Sequence, residues 1–132
     1  LALRSMGSLS GGEKRKIFIA RALAQGADIF LLDEPTANLD LDARLNIFVL
    51  LQKLASEGAT ILVVLHDVNQ ASIHCDKVVL LHERSILMEG TPEQVLTEQH
   101  LSDVYGIKTT IFPANGKTPH LVVPVMNNRM LD

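Results

Sequence analysis

Residues Ile29 to Pro35 read Ile-Phe-Leu-Leu-Asp-Glu-Pro. Four apolar residues without polar alternation predict a strand covered on both faces, as in a parallel sheet. Asp33 and Glu34 then stand at its carboxyl end, the edge at which ligands bind in open α/β sheets. Neighbouring strand residues point to opposite sides. One carboxylate can therefore hold a water of a Mg²⁺ shell while the other orients or deprotonates a water attacking a phosphoryl group. An acidic pair that only caps or turns the chain is the plainer alternative. Pro35 keeps the strand from continuing.

Upstream, Leu9 to Glu13 read Leu-Ser-Gly-Gly-Glu. Glycines let backbone N–H groups approach an anion closely, and a helix start adds its positive end. Alone, Ser10, Gly11 and Gly12 would be an ordinary helix-entry turn. A helix is predicted over Glu13 to Gln25, with Ile17, Ala20, Arg21 and Ala24 at helical spacing and Ile19 and Leu23 widening the apolar face. Ser10 is its expected N-cap, with Glu13 in capping-box position, and Gly26 its terminator.

Downstream, Asp33 to Asp40 connects to a helix over Leu41 to Ser56, with Leu45, Phe48, Val49 and Gln52 along one edge of its face and Ile47, Leu50, Leu51 and Leu54 widening it. Gly58 closes it, and Thr60 to Leu65 is a second buried strand rich in β-branched residues. His66 ends that strand, so it emerges at the same sheet edge as Asp33 and Glu34. There it can hydrogen-bond a terminal phosphate; a histidine taken alone would more often be a cap or core residue. A short helix capped by Asp67 runs to His74, followed by a strand over Lys77 to Leu81. Strand, helix, strand, helix, strand predicts an α/β unit with parallel neighbours. Glu83 and Arg84 turn the chain back into Ile86 to Glu89, an edge hairpin. Thr91-Pro92 opens one helix, and Thr97 opens another reaching Tyr105. Ile107 to Phe112 and His120 to Val123 are two further strands, with Asn115-Gly116 as a turn between them and Asn127 to Asp132 as a tail.

The 132 residues carry a net charge of -3, which gives no footprint for nucleic acid or an anionic membrane. Cys75 is the sole cysteine, so neither an internal disulfide nor a cysteine zinc site can form in one chain. No purely apolar run exceeds five residues, far short of the roughly twenty that span a membrane. No stretch of the form G-x-x-x-x-G-K-[ST] occurs, so a phosphate-binding loop is lacking from these residues.

Four motifs in this order resemble the ATP-binding subunit of ATP-binding-cassette (ABC) transporters. Leu9-Ser-Gly-Gly-Glu13 is similar to the family's signature motif, and Ile29 to Glu34 to its Walker B strand with the catalytic glutamate. Asn38-Leu39-Asp40 is similar to its D-loop and His66 to its switch histidine. The resemblance covers roughly Ser8 to Tyr105. It implies the C-terminal half of a P-loop NTPase (RecA-like) domain, α/β, with a mostly parallel sheet and flanking helices. The domain would occupy residues 1–106, with 107–132 a small β appendage. Arg15, where the family commonly has Gln, departs from the pattern, and the phosphate loop, the adenine-stacking aromatic and the glutamine loop would all precede Leu1.

The resemblance also implies roles. Glu34 would activate water and His66 sense the γ-phosphate of ATP. Asp33 would support Mg²⁺, most simply through water. Ser10, Gly11 and Gly12 would close over ATP held by a second ATP-binding subunit, and Asp40 would communicate across that dimer. The intact protein would be an ATPase at the cytoplasmic face of the bacterial plasma membrane. Its partners would be a polytopic permease and, indirectly, a substrate-binding protein outside the membrane, with no nucleic acid. The 132 residues alone are expected to be inactive. A narrower likeness, in Leu65-His66-Asp67-Val68-Asn69-Gln70-Ala71, Cys75-Asp76, Glu89 to Leu96, Val104 to Gly106 and Val122-Val123-Pro124, points to importers of ferric siderophores, haem or cobalamin. The alternatives are a truncated, non-catalytic dimerisation or regulatory module, or a cytosolic member of the superfamily acting in DNA repair or translation.

Overall fold

The apolar run Ile29–Asp33 is a strand (β1), and Thr60–Val64 (β2) lies beside it in parallel, with Asp33 opposite Val64. The computed structural model describes residues 7, 9, 11–24, 26–115 and 119–125, with the Arg15 side chain left aside. Ser10, Gln25, Gly116 and the tail Asn127 to Asp132, on which a cap, a helix end, a turn and a terminus were expected, lie outside them. Helix α1 (Gly11–Ala24) precedes β1, and helix α2 (Leu41–Ser56) connects β1 to β2. The chain divides into two compact units, Leu1–His66 and Asp67–Asp132.

The core of the first unit is Ile19 of α1, Phe30 of β1, and Ile47, Phe48, Leu51 and Leu54 of α2. The buried face of α2 is thus the 47/48/51/54 face; Leu45 and Val49, expected at its edge, are exposed. In α1 the buried residue is Ile19, while Ala20, Arg21 and Ala24 face outward. Apolar residues occur on several sides of both helices, so spacing alone left the phase of the face open. The helices cover only one side of the two-stranded sheet. Phe30 is buried at 3% exposure, whereas Ile29, Leu31, Leu62 and Val64 are 65%, 73%, 59% and 53% exposed. The strands therefore alternate buried and open rather than being covered on both faces.

The second unit begins with helix α3 (Val68–His74), followed by β3 (Val78–His82), β4 (Ser85–Gly90), the short α4 (Pro92–Val95), α5 (Glu98–Tyr105), β5 (Thr109–Phe112) and β6 (Leu121–Pro124). Its core is Leu80, Val95, Leu96, Leu101 and Val122. The expected mostly parallel sheet is not what these strands form. β3 pairs antiparallel with β4, and β5 antiparallel with β6, so β1–β2 is the one parallel pair among the described residues. Connection length explains this. Glu83 and Arg84, both with positive φ (46° and 66°), make a two-residue hairpin loop between β3 and β4, and so tight a link permits only antiparallel pairing. Among the described residues, only β1 and β2 are parallel partners separated by a helix.

Side chains fasten β6 and β5 to the helices. Asn69 of α3 meets Val122 twice: its Oδ1 accepts the Val122 N–H at 2.8 Å and its Nδ2 donates to the Val122 carbonyl at 3.0 Å. The Ser72 hydroxyl donates to the His120 carbonyl. Buried His120 donates from Nε2 to the Leu96 carbonyl at 2.9 Å, and Glu98 accepts the Ile111 N–H at 3.2 Å. Among the described residues no helix is long and apolar enough to cross a membrane.

Candidate functional site

Because β1 and β2 run in parallel, their carboxyl ends fall at one edge. Asp33 closes β1 there. Glu34 follows with its N–H bonded to the Val64 carbonyl at 3.1 Å, which continues the ladder by one residue. The Glu34 backbone has φ of 43°, a left-handed conformation uncommon for a residue with a long side chain. Two residues past β2, His66 places Nε2 2.6 Å from Glu34 Oε1. The histidine is largely exposed and the glutamate partly so, with side-chain exposures of 80% and 40%. Carboxylate and imidazole thus meet at the solvent edge of the sheet, open to a ligand from outside.

Of the residues expected to act together, the structure brings Glu34 and His66 into contact and sets Asp33 beside them in the chain. Asp33 is exposed, and a carboxylate there is a hard oxygen donor of the kind Mg²⁺ takes. Among the described residues no group of three or more His, Cys, Asp and Glu side chains could hold a metal. Asp33 therefore fits Mg²⁺ only as one contributor among water and phosphate oxygens. Beside it, toward α1, an open hollow is lined by Phe18, Ala22, Leu31 and Pro35; neither Glu34 nor His66 lines it.

Asp40 has a local task. Its side chain caps α2, accepting the Ala43 N–H at 2.8 Å, and an aspartate immediately before a helix is the signal from which this could have been read. Between Glu34 and Asp40 the loop is pinned by Ala37 N–H to the Glu34 carbonyl at 3.1 Å and Leu39 N–H to the Thr36 carbonyl at 3.4 Å, with Pro35 and Thr36 buried. Gly11 and Gly12 form the first turn of α1 itself, two residues earlier than the predicted helix start. Gly11 is exposed, so the positive end of the helix is open to an anion. Ser10 lies outside the described residues. The left-handed backbone of Glu34 had no signal in residue type.

The family model described as "ABC transporter" matches residues 2–37. Among curated proteins, the chain is 43% identical over 115 residues to the hemin import ATP-binding protein HmuV of Aliivibrio fischeri, covering 84% of this chain and 44% of that protein. It is 40% identical over 115 residues to the petrobactin import ATP-binding protein FpuC of Bacillus anthracis, covering 86% and 42%. It is 42% identical over 111 residues to the manganese transport system ATP-binding protein MntB of Listeria monocytogenes, covering 84% and 46%. The chain thus spans less than half the length of these curated relatives. Among solved structures, it is similar to an ABC transporter described as of the metal-chelate type, in an inward-facing conformation, with a TM-score of 0.83 and 31% identity over 93% of this chain and 50% of that one. An ATP-binding cassette in its ADP conformation gives a TM-score of 0.70 at 26% identity over 77% of this chain and 42% of that one.

Proposed function

We propose, from the premise that this chain belongs to the ABC transporter family as part of an ATP-binding subunit, that the whole protein hydrolyses ATP to ADP and phosphate and so energises a membrane importer of metal chelates. The observation that carries this reading is the 2.6 Å contact between Glu34 and His66 at the carboxyl edge of the parallel pair, with Asp33 beside it. Relatives named for hemin, petrobactin and manganese transport support the solute class.

Glu34, as carboxylate, takes the proton of the water that attacks the γ-phosphorus while the bond to the ADP oxygen breaks. His66 holds the Glu34 carboxylate in place and donates a hydrogen bond toward the γ-phosphate. Asp33 would hold Mg²⁺ through water, and the ion would supply charge neutralisation on the phosphates. Gly11 and Gly12, with Ser10, present N–H groups to the γ-phosphate held by a second subunit, and Asp40 lies at that same dimer contact. Residues 1–106 belong to the ATPase portion and 107–132 form an appendage to it. The protein works at the cytoplasmic face of the plasma membrane, with a permease and a substrate-binding protein completing the importer.

Replacing Glu34 by Gln in the intact subunit is expected to lower turnover by about a hundredfold or more while Mg-ATP binding persists. Turnover equal to the parent's would remove Glu34 from its role. The 132 residues by themselves hold no phosphate loop, and they are expected to bind Mg-ATP no better than millimolar. A micromolar dissociation constant by calorimetry would sink that expectation.

A further inference from the structure

Gly11 and Gly12 stand against the segment that leaves Glu34. A Cβ built on Gly11 would lie 3.4 Å from Leu39 Cδ2, and one built on Gly12 would lie 3.2 Å from Ala43 Cβ. The first is ordinary contact. The second is tighter than nine in ten real Cβ contacts, so a side chain at position 12 would force α1 or α2 to give, which close-packed interiors resist. Ala43 is itself fixed. Its N–H donates to Asp40 Oδ1 at 2.8 Å, and the next N–H, of Arg44, donates to the Asp40 carbonyl at 3.0 Å. Leu39 is fixed through Thr36, which is buried.

We infer that Ala43 and Leu39 are positioning residues. They set where the Gly11-Gly12 turn stands, leave position 12 a few tenths of an ångström short of room for a Cβ, and tie the turn to the Glu34–Asp40 loop. The inference rests on the proposed function and deepens it: the glycine turn that serves a partner's nucleotide is packed directly against the segment that follows this chain's own hydrolytic glutamate. The absence of bulk at position 43 is then as necessary to the turn as the glycines are.

The test is ATP-driven dimerisation of the intact subunit, followed by light scattering in a Glu34→Gln background, with calorimetric ATP binding to the monomer measured alongside. Gly12→Ala is expected to raise the ATP concentration for half-dimerisation by about tenfold, and adding Ala43→Gly to return it to within about threefold of the parent, because neighbours in contact couple. Ala43→Val alone reproduces the loss, and monomer binding stays unchanged in every variant. A double variant no better than Gly12→Ala, or Ala43→Val dimerising like the parent, overturns the inference.

If Ala43→Val instead loses monomer binding and melts early, it has damaged the fold. The Gly12→Ala pair then decides, since alanine is the better helix former and any loss there is steric. If the parent itself does not dimerise with ATP, the proposed function fails. The contact is then judged from melting temperatures of the parent, both single variants and the double variant. Additive shifts overturn it, and rescue by Ala43→Gly upholds it.

Discussion

At the scale of single residues, the site rests on one contact and one unusual backbone. The bond from Glu34 N–H to the Val64 carbonyl and the left-handed φ of 43° turn the chain out of the sheet, and the side chain ends 2.6 Å from His66 Nε2. Strand ends announced that Asp33, Glu34 and His66 would share an edge, because a short apolar run ending in a polar residue has only one carboxyl end. Which two of the three touch was not legible, since it depends on the left-handed turn at Glu34. Cys75 offers a separate test. Burial, and secondly the charge of Asp76, raise its thiol above the ordinary range. Each unit of elevation lowers the thiolate fraction about tenfold below the pKa, and the thiolate is the nucleophile. Alkylation by iodoacetamide at pH 8 should therefore be slower than that of a free cysteine peptide, and its rate should still be climbing where the peptide has levelled off. Asp76→Asn should speed it only in part, because burial is the larger cause. A rate matching the free peptide at pH 8 would contradict the burial.

At the scale of elements, helices and hairpins follow their caps and turns closely. Asp67 caps α3, with its carboxylate accepting N–H groups of Asn69 and Gln70. Thr97 accepts the His100 N–H at the start of α5, and Gly106, at φ of 67°, ends it in the left-handed conformation. These assignments need only residues a few positions apart. The fastening of β6 does not: Asn69 and Val122 are 53 positions apart, and nothing in an asparagine on a short helix tells which strand it will meet. Asn69→Ala leaves the Val122 N–H and carbonyl without their partner, with an expected loss of about 1–3 kcal/mol and faster hydrogen exchange at the Val122 amide. Asn69→Asp keeps the acceptor and is expected to retain the protection at that amide. Urea melts of both variants check this, and an Asn69→Ala protein as stable as the parent would show that β6 is held by packing alone.

At the scale of the whole molecule, the open face of β1–β2 dominates the behaviour expected of the 132 residues. Ile29, Leu31, Leu62 and Val64 form an apolar surface on the side of the sheet away from the core, and such patches drive association. Replacing Leu31 and Leu62 together by Lys should reduce binding of a hydrophobic dye and raise solubility. Helix content by circular dichroism should hold, because the core residues lie on the other face. A loss of helix content would mean that the open face carries part of the fold. The sequence by itself determined the order of helices and strands, most of their caps, and the carboxyl-edge placement of Asp33, Glu34 and His66. Those features depend on neighbours along the chain and on a strand having only one carboxyl end. Tertiary structure alone decided two further things. Leu45 and Val49 lie outside the buried face of α2, and Ala43 stands against Gly12. Both are matters of packing that local pattern leaves open, decided by the space left by neighbouring side chains.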